Sequence, residues 1–434
     1  MSIAPPSRST AASADSSSSS YAIPLAVVTT LFFMWGFLTC LNDILVPHLK
    51  SIFDLNYRQV MLVQFAFFGA YFLFSIPSAK IIDWIGYQRS MVVGLLTMGV
   101  GAFLFVPAAS APSYPLFLAA LVVLAAGITC LQVAANPYVT VLGKAETASS
   151  RLNLTQAFNS LGTFLAPFFG GLLILSAVPK AMEEIRALAP DALQAYRLHE
   201  AATVKTPYVG LGIALVVLAA AIGSFKLPKI PQAQHKVGEK VDDSIWRHPN
   251  LILGAIGIFV YVGAEVAIGS FLVNYFSQPE IGGLTEKVAS SFVAFYWGGA
   301  MVGRFIGSGL LQKMKTGHLL GICAVCATAL VTISMLSTGH FAMYSIILVG
   351  FFNSIMFPSI FTLGVAELGP LTGDGSGIMI MAIVGGALIP LAQGAIADKI
   401  GIHHAFFLPV ICYLYILYFA LSGSRPNSER HARS

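Results

Sequence analysis

Beyond a short polar start, the chain alternates long apolar runs with short breaks rich in charge, proline or glycine. Twelve runs cover approximately residues 22–48, 58–80, 89–110, 114–143, 153–176, 207–227, 249–277, 287–311, 317–338, 341–366, 376–398 and 403–422. Each is long enough for a membrane-spanning helix, which needs about 20 mainly apolar residues. The runs are continuous, unlike the alternating ten-residue segments of a transmembrane barrel. Composition agrees: 56% hydrophobic and 10% charged residues, with a mean hydropathy of +0.79, leave too little charge for the surface of a water-soluble domain. The pattern predicts an all-α integral membrane protein with twelve transmembrane helices.

The breaks divide the chain in two. Residues 21–227 and 249–422 hold six runs each, and the basic segment 228–248 between them reads as a linker. Residues 1–20 are small, polar and serine-rich, which predicts a disordered tail rather than a signal peptide; residues 423–434 form a second tail. If both termini face the cytoplasm, the inner segments, span ends included, hold 16 of the 24 basic residues, as the positive-inside rule requires. The net charge of +5 is too dispersed for nucleic-acid binding. The five cysteines all fall inside predicted spans, and Cys323-x-x-Cys326 has no second ligand pair nearby to suggest a metal. No cofactor or metal is expected.

The two halves repeat. Asn136–Glu146, NPYVTVLGKAE, aligns with Phe357–Glu367, FPSIFTLGVAE: proline, glycine six later, glutamate three after that. Gly162 and Gly385 each precede a proline by five residues, and WGFLTCLND in span 1 lies more weakly over VGAEVAIGS in span 7. Duplicated halves are a common plan for secondary transporters.

Twelve spans in a 6+6 arrangement, the central linker and AKIIDWIGYQR (Ala79–Arg89) together resemble the major facilitator superfamily. Its loop motif has an aspartate, a glycine three later and then a basic residue; Asp83, Gly86 and Arg89 fit, while Ala79 replaces the usual leading glycine. More narrowly, LNDILVPHL, AANPYVTVLG, SSRLNLTQAFNSLG and YVGAEVAIGSFLVNY resemble the fucose and glucose/galactose proton symporter family over nearly the whole chain after the tail. The resemblance implies cation-coupled import of a hexose by alternating access, H+ being the expected cation and Na+ the rival. A fucose or amino-sugar carrier and a non-transporting sugar receptor are more distant alternatives. The implied setting is a bacterial-type inner membrane, with a small-molecule sugar and the lipid bilayer as partners and a monomer as the functional unit.

Ionisable groups at membrane depth are costly and therefore mark candidate function. Asp43, next to Asn42, lies in span 1 two turns from Trp35, and Glu265 lies near the centre of span 7 one turn from Tyr261. The resemblance makes Asp43 the main proton carrier; a structural hydrogen bond is the alternative. Glu265 reads as a second proton site, a sugar hydroxyl acceptor, a cation ligand or a paired structural carboxylate. Gln132 and Asn136 share one face of span 4, and Gln156 and Asn159 lie together in span 5. Carboxamides suit sugars because each donates and accepts hydrogen bonds. Their alternatives are interhelical hydrogen bonds and, for Asn136, repair of the carbonyl that Pro137 frees. Fucose symporters carry a glutamate at the Gln132 position, so the glucose/galactose branch is the closer resemblance.

Trp35, Tyr261, Trp297 and Phe357 are candidates to stack on a sugar ring. Asp83, Arg89, Glu146, Arg151, Arg304 and Glu367, near the inner span ends, are candidates for a cytoplasmic gate or for plain interfacial solvation. An enzyme is not expected: the sequence lacks H-E-x-x-H and G-x-S-x-G, and GDGSG lacks the lysine of a phosphate loop.

Overall fold

The computed structural model describes residues 15–53, 57–110, 113–173, 184, 187–230 and 243–425. It is all-helical among these residues. Helix α1 spans Asp15–Phe53, α2 Tyr57–Ser110, α3 Tyr114–Val141, α4 Ala148–Leu173 and α5 Pro190–Ser224. The second half follows as α6 Pro249–Phe276, α7 Glu286–Leu310, α8 Thr316–Leu336, α9 Gly339–Asn353, α10 Met356–Gly364, α11 Thr372–Met381, α12 Gly385–Ile400, α13 Ile402–Ala405 and α14 Phe407–Tyr418. The first helix already starts at Asp15, ahead of the apolar run. Most of the central linker, residues 231–242, and most of the 178–186 stretch lie outside the described residues.

Nine helical stretches among the described residues are long and apolar enough to cross a membrane. One, Phe65–Ser110, makes two crossings that meet at Gly86. Helices α4 and α7 are the less apolar spans, and they face each other across the two halves. Spans 10 and 11 are each broken, into α9–α10 and α11–α12.

The turn at Gly86 has φ 80° and ψ 167°, a region in which only glycine is unstrained. The same four-residue pattern returns late in the chain: Asp83-Trp84-Ile85-Gly86 matches Asp398-Lys399-Ile400-Gly401, and Gly401 has φ 84° and ψ 154°. By span parity the first turn lies at the end of the bundle that carries the linker and the second at the far end. One loop device is used in both orientations, as expected of an inverted repeat.

Glycines set the closest approaches within each half. A Cβ on Gly162 would lie 2.3 Å from the Phe33 carbonyl, and one on Gly36 2.2 Å from the Asn159 carbonyl, so α1 and α4 touch backbone to backbone. In the second half, a Cβ on Gly385 would lie 2.0 Å from the Phe259 carbonyl, and Gly263 meets Ile389 at 2.3 Å. Gly36 and Gly263 occupy equivalent positions in the weaker of the two repeat alignments, so the contact itself is duplicated. Small residues drive such contacts because lipid supplies no hydrophobic force between helices.

Replacing Gly385 with Val is therefore expected to separate α6 from α12, at a cost of about 3 kcal/mol or more. Size-exclusion chromatography of the detergent-solubilised protein should show loss of the monodisperse species, whereas Gly309→Val, where a Cβ meets nothing within 4 Å, should leave it intact.

Candidate functional site

The halves meet toward the linker end, through span 2 against span 11, α4 against α7 and α10, and α3 against α11. At the rim, Lys80 Nζ lies 2.7 Å from Asp374 Oδ1 of the other half and 3.5 Å from Asp83 Oδ2 of its own. Further in, Ser149 Oγ and Thr362 Oγ1 are 2.6 Å apart, Ser150 Oγ donates to the Ser308 carbonyl at 2.8 Å, and Asn153 Nδ2 donates to the Arg304 carbonyl at 2.7 Å. Deepest is Arg304, whose guanidinium donates to Ser160 Oγ of the first half. Ser160 is 12 residues into α4, about 18 Å along its axis, close to the middle of a 30 Å hydrocarbon core.

The two prolines of the repeat explain part of this closure. Proline has no N–H, so the carbonyl four residues before it loses its helical donor. Pro137 frees the carbonyl of Val133, and Ser376 Oγ from α11 donates to it at 2.8 Å. Pro358 frees the carbonyl of Ser354, and Arg304 Nε donates to it at 3.2 Å. The first donor crosses between halves directly. The second belongs to the same half but reaches across with its guanidinium. Asn136 is thus not the group that repairs the Pro137 defect.

At the depth of Ser160, and one to two turns around it, lie the first-half carboxamides. Gln132 Nε2 donates to the Tyr71 hydroxyl at 2.7 Å, and Gln156 Nε2 donates to Asn136 Oδ1 at 3.2 Å. The Asn136 amide nitrogen is buried with no hydrogen-bond partner among the described residues, which leaves a donor available. Asn159 Nδ2 donates to the Phe32 carbonyl of α1 at 2.9 Å, so this carboxamide also ties two spans together. Sequence reasoning misses Tyr71, which lies in an aromatic stretch and packs against Phe67 and Phe68, where nothing marks one ring as polar-functional.

In the second half, the Tyr261 hydroxyl lies 2.8 Å from Glu265 Oε1 and 3.1 Å from the Asn353 carbonyl. Asn353 Nδ2 donates to the Tyr296 hydroxyl at 2.8 Å. Glu265 keeps part of its surface accessible, but Tyr261 is fully buried and offers no ring face for stacking in this conformation. Trp35 is also buried, edge-on to Phe32; Trp297 is 45% exposed beside Gly269, and Phe357 is half-buried against Phe361. Asn42 and Asp43 fall within α1, but their side chains lie outside the described residues.

The six candidate gate residues separate into different environments. Asp83 and Arg304 take part in the closure described above. Arg89, Glu146 and Glu367 are exposed at the linker end, and Glu367 has φ 60° in the turn after span 10. Arg151 binds its own half: Nη2 donates to the Thr140 carbonyl at 2.9 Å, Nε to Val139 at 3.3 Å and Nη1 to Lys144 at 2.7 Å. It caps the C-terminal end of α3, whose last carbonyls have no helical donors. Cys323 and Cys326 lie in α8, and no group of metal-ligating side chains occurs among the described residues.

Comparison with known proteins follows the same lines. A family model described as the Major Facilitator Superfamily matches residues 26–383. A glucose/galactose transporter of Brucella abortus is 53% identical over 94% of this chain and 96% of its own. An L-fucose-proton symporter of Escherichia coli is 36% identical over 93% of each. The crystal structure of the Escherichia coli fucose:proton symporter superposes with a TM-score of 0.87 at 34% identity, covering 94% of this chain and all of the other. A superfamily transporter solved in the outward conformation gives 0.86 over the same share.

Arg151→Gln is expected to lower stability by about 2 kcal/mol, the order of a charged hydrogen bond lost at a helix end. Thermal melting of the purified protein in detergent checks this: an unchanged midpoint would contradict the capping role.

Proposed function

Because the chain belongs to the major facilitator superfamily, we propose that it is a cation-coupled hexose symporter that imports glucose or galactose by alternating access. The carrying observation is the polar link between the halves: Gln156 donates to Asn136, Ser160 one turn on from Gln156 is held by Arg304 of the second half, and Arg304 faces Glu265. A sugar bound there exchanges water for carboxamide donors and acceptors; the unpartnered Asn136 amide is enclosed in this conformation and supplies a donor to a hydroxyl that reaches it as the halves move. The likeness to the Brucella abortus transporter over nearly the full length supports the choice of substrate.

The linker end faces the cytoplasm of an inner membrane, which suits its lysines and arginines. In this conformation that end is closed, and the likeness to a transporter in its outward conformation supports an outward-facing state. The chain works as a monomer, since each copy contains both halves of the site. Coupling requires that sugar and cation each favour the same conformational change through differential affinity. H+ is the cation, carried chiefly by Asp43 with Glu265 as the second site. Replacing Na+ by choline at fixed pH should leave uptake unchanged; dependence on Na+ would shift the assignment to sodium.

In proteoliposomes with an inward-directed proton gradient, Asp43→Asn should abolish accumulation of labelled galactose. Sugar-induced alkalinisation that persists undiminished in this variant would reject the assignment. Glu265→Gln should lose accumulation while retaining exchange of labelled for unlabelled sugar.

Lys80 and Asp374 form the outer ring of the cytoplasmic closure. The pair is partly exposed, with side chains 48% and 20% accessible, so its strength is about 1 kcal/mol or less. Lys80→Asp should slow uptake several-fold by favouring the inward-open state, and adding Asp374→Lys should restore it. Failure of the swap to rescue would show that the pair does not gate.

A further inference from the structure

Span 10 is interrupted at Ser354 and Ile355, between α9 and α10. The Ser354 carbonyl has no helical donor, because Pro358 lacks an N–H, and both it and the adjacent Asn353 carbonyl accept side-chain hydrogen bonds. Their donors come from opposite directions: Tyr261 beside Glu265 serves the first, and Arg304, which holds Ser160 of the first half, serves the second. Arg304 faces Glu265 without forming an ion pair among the described residues, and the helix break adds a hydrogen-bonded connection between them. Helix α7 is clamped to this break. A Cβ on Gly303 would lie 2.5 Å from the Phe351 carbonyl, and one on Gly350 2.1 Å from the Tyr296 carbonyl. The break and α7 therefore move as one body.

A phenolic hydroxyl has one hydrogen, yet Tyr261 faces two acceptors at 2.8 and 3.1 Å. When Glu265 is ionised it can only accept, and the Tyr261 hydrogen goes to it; the Asn353 carbonyl then loses its Tyr261 donor. When Glu265 is protonated, its own O–H donates to the Tyr261 oxygen, and Tyr261 turns its hydrogen to Asn353. Losing the hydrogen bond to Asn353 is enough to bias a two-state conformational equilibrium several-fold.

We propose that Tyr261 is the positioning residue that transmits the protonation of Glu265 to the break in span 10, and through Arg304 at that break to the contact between the halves. This rests on the reading of Glu265 as a coupling group. The proton arrives from water and stays on the carboxyl; no other bond changes. The groups facing Glu265 are Tyr261 from its own helix, Arg304 and Tyr296 from α7, Tyr413 from α14 and Asn353 from α9. Of these, Tyr261 alone touches both the carboxylate and a carbonyl of the break. Pro358 belongs to the device, because an alanine there would supply an N–H to the Ser354 carbonyl and displace Arg304.

The test uses the full chain in proteoliposomes with labelled galactose and compares proton-driven accumulation with equilibrium exchange. Tyr261→Phe keeps the ring and the titratable Glu265 but removes the relay; accumulation is expected to fall about tenfold or more while exchange stays within about threefold, a size typical of coupling between sites. Pro358→Ala should show the same separation, and it covers the case in which the buried Tyr261→Phe variant fails to fold. Combined with Glu265→Gln, either variant should accumulate no less sugar than Glu265→Gln alone. Accumulation at wild-type level in Tyr261→Phe, or losses that multiply in the double variants, would overturn the relay. Absence of galactose accumulation by the wild-type chain would instead overturn the transport reading, and full accumulation by Glu265→Gln alone would remove the coupling role of Glu265.

Discussion

Every main-chain carbonyl in a membrane span needs a donor, because lipid offers none, and the closure of this protein depends on that constraint. Proline in spans 4 and 10 removes a donor from each, at Val133 and Ser354. Both vacancies are met by side chains at the contact between halves, Ser376 and Arg304. A helix interruption that would otherwise be a defect thus becomes an attachment point. The attachment is directional and reversible, since water entering from the linker end can replace Ser376 or Arg304 once the halves part.

The halves share a backbone plan and divide the chemistry. Their glycine contacts, Gly36 and Gly162 against Gly263 and Gly385, are duplicated, and so are the Pro137 and Pro358 frames. The polar groups are not. Carboxamides are concentrated in α3 and α4, which suits recognition of hydroxyls, while the second half has a carboxylate enclosed by tyrosines and an asparagine. Duplication supplies two bodies of like plan; divergence at a few positions leaves carboxamides on one and a buried carboxylate on the other.

The twelve apolar runs all fall on helices because span length is dictated by bilayer thickness, a constraint that acts locally along the chain, although α1 and α5 start well ahead of their runs, at Asp15 and Pro190. The Pro-Gly-Glu frame was equally visible, and so was the carboxamide face of spans 4 and 5. What the sequence concealed were the partners. Lys80 and Asp374 are 294 positions apart, and Ser376 carries no signal that it serves Val133. Arg151 resembled a gate because it is a charge at a span end; only the geometry of its donors separates a helix cap from an inter-half bridge. Tyr261 looked like a stacking aromatic because ring chemistry is easier to infer from spacing than the direction of one hydroxyl hydrogen.

Alternating access limits how strong the closure can be. Moving a two-state equilibrium from 1:99 to 99:1 takes about 5.5 kcal/mol of differential affinity. A neutral hydrogen bond contributes about 1 kcal/mol net, so contacts such as Ser149 with Thr362, Ser150 with Ser308 and Ser376 with Val133 approach that range only together. A hydrophobic seal of the same area would exceed what a sugar and a cation can offset. Small hydroxyls on α4 and α11, with Phe158 of α4 edge-on to Phe305 of α7 as an aromatic contact, suit a reversible seal, and the Arg304 guanidinium is placed at mid-depth, where it meets both the helix break and the span that carries Gln156 and Asn159.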